Sequence, residues 1–270
     1  NLFDMYEEIT DVSPYEQPMQ IFPAVHYTMG GLHITPEAEV LTVDGTPIAG
    51  LYAAGEAASG VFGANRVADA VTEMLVQGYK AGEVAAARAS EQTRVASDDA
   101  AIERAVGVLE KLLSNQGGIA VSEAIDRLGE ISDNALGMVR NETTLRAGVE
   151  AFETLGAEMD GISLRGKSLR YNRELMQALA ARNLLACSRV AAKMALERRE
   201  SRGLHLRDDY SYIDNENWQV RQLAELVNGE DKLSKKVPVV TRIPLRKAEK
   251  IDYESFILEE DLGMKNMEES

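Results

Sequence analysis

Two short stretches near the start of the chain gather residue types that can bind an anion. HYTMGGLHI, from residue 26 to 34, carries two of the chain's three histidines around a pair of glycines. GLYAAGEAASGVFGANR, from residue 50 to 66, ends in Asn65 and Arg66, just before a stretch with helical spacing. The first amides of a helix are free and its N-terminus is the positive end of the dipole, so an anion is stabilised there. Arg66 adds a guanidinium that can hold a carboxylate through two parallel N–H groups.

Gly55 and Glu56 close the apolar segment GLYAAGE inside the second stretch. A carboxylate that follows a strand in this way can bind a pair of ribose hydroxyls, as in dinucleotide-binding folds. The Gly-rich phosphate loop that usually accompanies such a carboxylate is absent from the sequence. On this pattern alone, a solvent-facing glutamate is the simpler alternative.

The remaining candidates also have structural alternatives. Taken alone, His26 is as consistent with a hydrogen-bonded core histidine as with a donor to an anion. Arg66 is equally consistent with an arginine that pairs with a nearby acid. His33, on a predicted short strand, is interpreted as structural, whereas His205 lies among charged residues and its role is open.

The composition is ordinary for a globular protein and excludes several classes of function. The 270 residues are 45% hydrophobic and 27% charged, with a formal net charge of −15 and no dense Lys/Arg run, which argues against nucleic-acid binding. Without a run of about 18 apolar residues or a signal segment, we expect no transmembrane segment and a cytoplasmic protein, or one peripheral at the cytoplasmic face of the membrane. Cys187 is the only cysteine, so an internal disulfide and a Cys-rich metal site are excluded. Its apolar surroundings predict a buried thiol.

Three regions that differ in composition and apolar spacing together predict a mixed α/β protein. Residues 1–90 begin with a proline-rich part that predicts short strands and turns, with Asp44–Gly45 at the tip of one turn. Residues 91–200 contain no proline and have the apolar spacing of a helical bundle. Residues 201–270 are polar, end in an acidic tail and predict a small α+β domain.

Within the helical region, several boundaries can be predicted. Ser97 is a suitable N-cap with acidic residues after it, Ser122 begins a second helix, and Glu142 to Met159 forms a third. Leu112 falls on the apolar face and is predicted to lie in the core. Near the end of the chain, KKVPVVTRIPL is predicted to be a strand.

Four motifs follow one another in the chain: PMQIFPAVHYTMGG, GLYAAGE, GANR and ESRGLHLRDDYSYIDNENW. Together, over residues 14–218, they resemble the flavoprotein subunit of succinate dehydrogenases and fumarate reductases. The resemblance covers only the C-terminal part of such subunits. Their N-terminal FAD-binding part, the stretch with their covalent flavin histidine and their cap domain have no counterpart in the sequence. We therefore expect a fragment, or one half of a split subunit, that does not catalyse a reaction alone.

The resemblance implies an activity and partners. The family transfers a hydride between flavin N5 and a C4 dicarboxylate such as succinate or fumarate, and passes electrons to an iron–sulfur subunit. His26 and Arg66 match the pair that holds a carboxylate of the substrate against the flavin. The cofactor implied is FAD, bound only when the N-terminal FAD-binding portion or subunit is present.

The resemblance also implies which residues contact the cofactor. Glu56 matches the acid that binds the ribose of FAD. If one residue is deleted after Arg66, two positions at the start of the following helix match family residues whose backbone amides lie at the flavin's pyrimidine edge. The cofactor-binding residues implied in this way are Gly55, Glu56, Asn65, Ala70 and Val71. Residues 1–90 would then complete the FAD-binding and substrate domain.

Two departures from the family pattern leave alternatives open. The family most often has a histidine before GANR, where this chain has Phe62, and the loop after Arg66 is one residue shorter. L-aspartate oxidases share the HYT, GANR and SRGLH segments, although they usually have a cysteine in place of Met29. The alternatives are therefore a fragment of an enzyme similar to L-aspartate oxidase, acting on a related carboxylate, or a non-catalytic helical interaction module.

Overall fold

The computed structural model describes residues 2–18, 27–59, 70–92, 97–227 and 230–236. The candidate residues His26, Phe62, Asn65 and Arg66 lie outside the described residues, as do most of the predicted strand KKVPVVTRIPL and the acidic tail. The chain divides into two compact units, Asn1–Ile213 and Asp214–Ser270.

The described residues form helices and small two-stranded sheets, which confirms the mixed α/β class. The helices are α1 (Leu2–Thr10), α2 (Ala70–Glu91), α3 (Asp99–Ser114), α4 (Val121–Leu136), α5 (Glu142–Met159) and α6 (Arg173–Glu197). The strands are β1 (Leu32–His33), β2 (Glu39–Leu41), β3 (Pro47–Tyr52), β4 (Ala58–Ser59), β5 (Val139–Arg140), β6 (Leu206–Arg207), β7 (Arg221–Val227) and β8 (Glu230–Lys236). β1 pairs with β4 and β5 with β6 in parallel, whereas β2–β3 and β7–β8 are antiparallel hairpins.

Two glycines, Gly31 and Gly45, allow the backbone conformations that the strands β1 to β4 require. The predicted turn at Asp44–Gly45 joins β2 to β3, and Gly45 adopts a φ of +92°, which glycine reaches without strain. Gly31 has a φ of +153°, and a Cβ added there would lie 2.6 Å from the carbonyl oxygen of Ala57. The close approach of these two backbones allows β1 to pair with β4.

A larger apolar core lies between α3, α4, α5 and α6. Leu112 is 1% exposed within it, as the apolar spacing predicted, and Phe152 is fully buried. α5 spans the predicted Glu142–Met159 and begins with a capping box, in which Asn141 and Thr144 each bond the other's backbone.

Two predicted helix starts were wrong by one residue. α3 is capped by Asp98, whose carboxylate accepts the amide of Ala101 at 3.1 Å, and Ser97 lies outside the helix. The carboxylate and the hydroxyl are both good caps, and the residue adjacent to the first helical position takes the role. α4 begins at Val121, which is buried in the core, so that apolar packing sets its start one residue before Ser122.

Cys187 is exposed on α6, which contradicts the prediction of a buried thiol. α6 carries alanines and leucines over most of its circumference, and its sequence therefore did not indicate which face is buried. Among the helices that the structure describes, none has the length and apolar character needed to cross a membrane.

Two arginines close the C-terminal ends of α4 and α6. Arg140 and Arg207 are register partners in the β5–β6 pair, and Arg207 is fully buried. Each donates to carbonyls that the last turn of a helix leaves free. Arg140 caps Leu136 and Gly137 at the end of α4, and Arg207 caps Ala195, Leu196 and Arg198 at the end of α6.

The second unit contains the β7–β8 hairpin. Trp218 is 7% exposed, and the Nζ atom of Lys235 lies 3.6 Å from the centre of its ring. At this distance the ammonium interacts favourably with the face of the indole.

Candidate functional site

Glu56 lies on a short helical turn, Gly55–Ala57, and receives a hydrogen bond from the HYT segment. The backbone N–H of Thr28 donates to Oε1 of Glu56 at 2.8 Å. Gly55 is buried with a φ of +67°, and a Cβ there would come within 3.1 Å of Cβ of Met74. A side chain at this position would therefore push the turn away from α2, so glycine is needed for the contact.

Polar side chains of α2 hold the Gly55–Ala57 turn. The amide N–H of Gly55 donates to Oε1 of Gln77 at 2.9 Å. Nε2 of Gln77 donates in turn to Oε1 of Glu73 at 3.0 Å. Gln77 and Glu73 are four residues apart on α2 and lie on the same side of that helix.

Tyr27 reaches the same carboxylate from the HYT segment. Its hydroxyl donates to Oε2 of Glu73 at 3.3 Å, and Glu73 is 5% exposed. Burial, and then the neighbouring Glu73 carboxylate, raise the pKa of Tyr27 above its ordinary value. The hydroxyl therefore stays protonated and able to donate.

Ala70 and Val71 open α2, one turn before Met74, the residue that packs against Gly55. Amides of a helix's first turn have no partner within the helix and lie at the positive end of its dipole. The structure thus brings four of the implied cofactor residues onto two adjoining elements: Gly55, Glu56, Ala70 and Val71. It does not describe His26, Asn65 or Arg66, although His26 directly precedes Tyr27 in the chain.

These residues fit a cofactor that carries a ribose. Glu56 is exposed, and in the part of the chain that the structure describes its Oε2 makes no hydrogen bond, because only Oε1 is used by Thr28. A carboxylate oxygen in this position can accept from a ribose hydroxyl. The adjoining helix start offers amides for a group that gains negative charge.

Sequence reasoning did not identify Tyr27, Glu73 or Gln77. Their partners are 46 and 22 residues distant in the chain, so no local spacing links them. The sequence does contain one indication of this contact. Glu73 and Gln77 are a polar pair at i, i+4 spacing, in a segment whose apolar residues alone were used to predict the helix.

His205 belongs to the helix-end contacts. Nη1 of Arg140 lies 3.1 Å from its Nδ1. A guanidinium can only donate, so Nδ1 accepts and the imidazole is neutral. Burial lowers the pKa of His205 to about 4, and the charge of Arg140 contributes to the lowering.

Two family models match parts of the chain. A family model described as "FAD binding domain" matches residues 3–69, and one described as "Fumarate reductase flavoprotein C-term" matches residues 125–253. The first match ends one residue before α2 and includes the Gly55–Ala57 turn.

Individual relatives extend the similarity over most of the chain. The fumarate reductase flavoprotein subunit of Haemophilus influenzae is 34% identical over 217 residues, which are 79% of this chain and 35% of that subunit. The mitochondrial succinate dehydrogenase (ubiquinone) flavoprotein subunit of Oryza sativa is 29% identical over 226 residues, 81% of this chain and 36% of that subunit. A solved structure of E. coli quinol fumarate reductase matches with a TM-score of 0.77 at 28% identity, over 90% of this chain and 42% of that one.

The fold and the two family matches define a flavoprotein, with FAD as its cofactor. The resemblance seen in its motifs is confirmed: the chain is similar to the flavoprotein subunits of succinate dehydrogenases and fumarate reductases, and it matches the C-terminal family model of these subunits. It spans about a third of the length of these curated relatives, 35% and 36%.

Proposed function

We propose that this chain supplies the C-terminal part of a flavoprotein oxidoreductase that interconverts succinate and fumarate, or a related carboxylate, and passes electrons to an iron–sulfur partner. The observation that carries the proposal is the hydrogen-bonded contact between the HYT segment, the Gly55–Ala57 turn and α2. It holds the elements implied in cofactor and substrate binding beside one another.

Each element has a definite task in the proposed site. Oε2 of Glu56 accepts a hydrogen bond from a ribose hydroxyl of FAD. The backbone amides of Ala70 and Val71 face the part of the flavin ring that gains negative charge. His26 and Arg66 bind a carboxylate of the substrate, with Arg66 as a fixed two-pronged donor. FAD, when bound, supplies the hydride transfer.

We propose that the N-terminal FAD-binding portion, on the same or another polypeptide, covers an apolar stripe of α2. Val71, Leu75 and Tyr79 recur at helical spacing and are 57%, 66% and 76% exposed. Glu73, Met74 and Gln77 lie on the side of α2 that faces the Gly55–Ala57 turn and the HYT segment. The apolar stripe lies outside these contacts and is exposed among the described residues. Apolar stripes of this kind mark interaction surfaces.

The domain division predicted from the sequence is part of this proposal. We propose that residues 1–90 complete the FAD-binding and substrate domain, that residues 91–200 form the helical bundle, and that residues 201–270 form a small C-terminal α+β domain. The pairing of β6 with β5 groups residues up to Ile213 with the first compact unit. We also propose that the assembly lies in the cytoplasm or peripherally at the cytoplasmic face of the membrane.

A Glu56→Gln variant of the complete assembly tests the proposed cofactor role. The amide can still accept from Thr28, but the second carboxylate oxygen becomes an NH₂ group that cannot accept from a ribose. Loss of a hydrogen bond to a charged group costs on the order of 2 kcal/mol, which weakens FAD binding roughly thirtyfold. Glu37→Gln, at an exposed position of the turn before β2, is the matched control.

The readouts separate the proposed activity from its alternatives. Flavin content is measured on the purified assembly, and turnover of succinate or fumarate with an artificial electron carrier. Weakened FAD binding in Glu56→Gln but not in Glu37→Gln supports the proposal. Equal FAD binding in both variants contradicts the role of Glu56, and a flavin-free wild-type assembly with a bound partner protein would favour the helical interaction module.

A further inference from the structure

Glu73 is a buried carboxylate to which nothing so far assigns a role. It lies in the first turn of α2, where the helix dipole favours a negative charge, and is 5% exposed. Its two oxygens accept from different donors, the hydroxyl of Tyr27 and the amide of Gln77. One side chain therefore links the HYT segment to Gln77.

The hydrogen bonds of Glu73 belong to a closed ring. Glu73 is hydrogen-bonded to Gln77, and Gln77 to the amide of Gly55. Glu56, the next residue in the chain, is hydrogen-bonded to the amide of Thr28. Tyr27, the neighbour of Thr28, closes the ring on Glu73. Gln77 uses its nitrogen and its oxygen within the ring, so the orientation of its amide is fixed by both neighbours.

Two chains of hydrogen bonds start at Glu73 and lead to different parts of the site; we call them the two arms of the ring. One arm passes through Tyr27 to the HYT segment, whose first residue is His26. The other passes through Gln77 to the Gly55–Ala57 turn, which carries Glu56. Misplacement of a reacting or binding group by about 1 Å can cost on the order of a hundredfold in rate, so a fixed anchor for both arms matters to function.

We propose that Glu73 is a positioning residue that sets the substrate-binding segment through Tyr27 and the FAD-binding turn through Gln77. The proposal rests on the proposed function for the identity of the two ligands. The new element is that one carboxylate couples the substrate-binding segment to the FAD-binding turn. Each of the two is held through a different side chain, Tyr27 or Gln77.

The arms predict different kinetic signatures in the complete assembly. Tyr27→Phe removes one hydroxyl and should lower kcat/KM for the dicarboxylate about tenfold, with FAD binding unchanged. Gln77→Leu should weaken FAD binding about tenfold, with the KM for the dicarboxylate unchanged once FAD is saturating. Glu73→Gln should show both effects. Because Glu73 reaches the substrate-binding segment through Tyr27, the double variant Tyr27→Phe/Glu73→Gln should have a kcat/KM no lower than that of Glu73→Gln alone.

A second measurement tests the ring independently of flavin and substrate. In Glu73→Gln, amide hydrogen exchange should accelerate in peptides that cover residues 27–34 and 50–58. Glu83→Gln, on the same helix and exposed beside Lys80, should leave both peptides and the kinetics unchanged. A general loss of folding would instead accelerate exchange throughout the helical core.

The outcomes distinguish this inference from the proposed function. Unchanged exchange in Glu73→Gln, kcat/KM within twofold of wild type in Tyr27→Phe, or fully multiplicative effects in the double variant would each overturn the positioning role of Glu73. A wild-type assembly that contains no flavin and turns over neither succinate nor fumarate would overturn the proposed function and, with it, the site that Glu73 is said to position. Accelerated exchange together with the two separate kinetic defects supports both.

Discussion

Replacing Arg207 by methionine should destabilise the chain by about 3 kcal/mol. Arg207 is fully buried, and its guanidinium makes a two-pronged pair with Asp209, with Nε–Oδ1 and Nη2–Oδ2 distances of 2.8 and 2.6 Å. Its Nη1 also donates to three carbonyls at the end of α6, at 2.9 to 3.2 Å. Methionine keeps much of the apolar stem but none of these donors.

The magnitude follows from what each partner loses. Loss of one member of a buried ion pair costs about 3–5 kcal/mol, but the side chain of Asp209 is 28% exposed and regains water, which reduces this contribution to about 1–2 kcal/mol. The three carbonyls contribute about 1–2 kcal/mol together, because one of these hydrogen bonds is buried and the other two are only partly so. The sum is about 3 kcal/mol.

Urea unfolding of the full chain, followed by circular dichroism, measures this loss. With a urea dependence of about 2–3 kcal/mol per molar, the midpoint should fall by about 1 M. The control is Arg165→Met, because the side chain of Arg165 is 95% exposed beside Glu174 and such a pair is worth less than about 1 kcal/mol. Equal midpoints for the two variants would refute the capping role of Arg207.

Four further predictions concern other parts of the molecule. Arg66→Lys in the complete assembly should lower succinate or fumarate turnover roughly a hundredfold at constant flavin content, since lysine cannot present two parallel donors; near-normal turnover would contradict this, with Arg165→Lys as the control. The chain purified by itself should keep no FAD through gel filtration, because its sequence lacks the Gly-rich phosphate loop; about one flavin per chain would show otherwise. Leu112→Asp should abolish the helical circular dichroism of the core, because it buries an unpaired charge at a position that is 1% exposed, whereas Val108→Asp, at 43% exposure, should be tolerated. Lowering the pH from about 6.5 to about 4 should reduce the free energy of unfolding by about 1–2 kcal/mol through His205, a figure discounted because the ring is only half-buried. The sign follows because neutral His205 takes up a proton on unfolding, and a His205→Gln variant titrated in the same urea experiment should lose less stability.

The helices could be predicted from the sequence where their apolar face is narrow. The bounds of α5 were predicted as Glu142 to Met159, and Leu112 was correctly placed in the core of the helical region. In α6, the many alanines hid which face is buried, and Cys187 was wrongly predicted to be buried.

The candidate site could be predicted only where its residues are close in the sequence. Glu56 was singled out because it follows an apolar strand, whereas Ala70 and Val71 were implied by the family resemblance after GANR. Their roles in cofactor binding stay predictions. Glu73 could not be identified, because its contacts depend on how α2 lies against the HYT segment, and that arrangement is set by tertiary packing. The closed ring of hydrogen bonds is therefore a result of the structure alone.

The most direct test of the central claim is the visible absorbance and mass of the natively purified assembly, recorded before and after addition of succinate. We predict that this chain is recovered with an FAD-binding portion, that the assembly carries flavin, and that succinate bleaches the flavin absorbance while fumarate restores it. An assembly without flavin absorbance, or one whose flavin responds to neither compound, would contradict the claim that this chain completes a succinate and fumarate site.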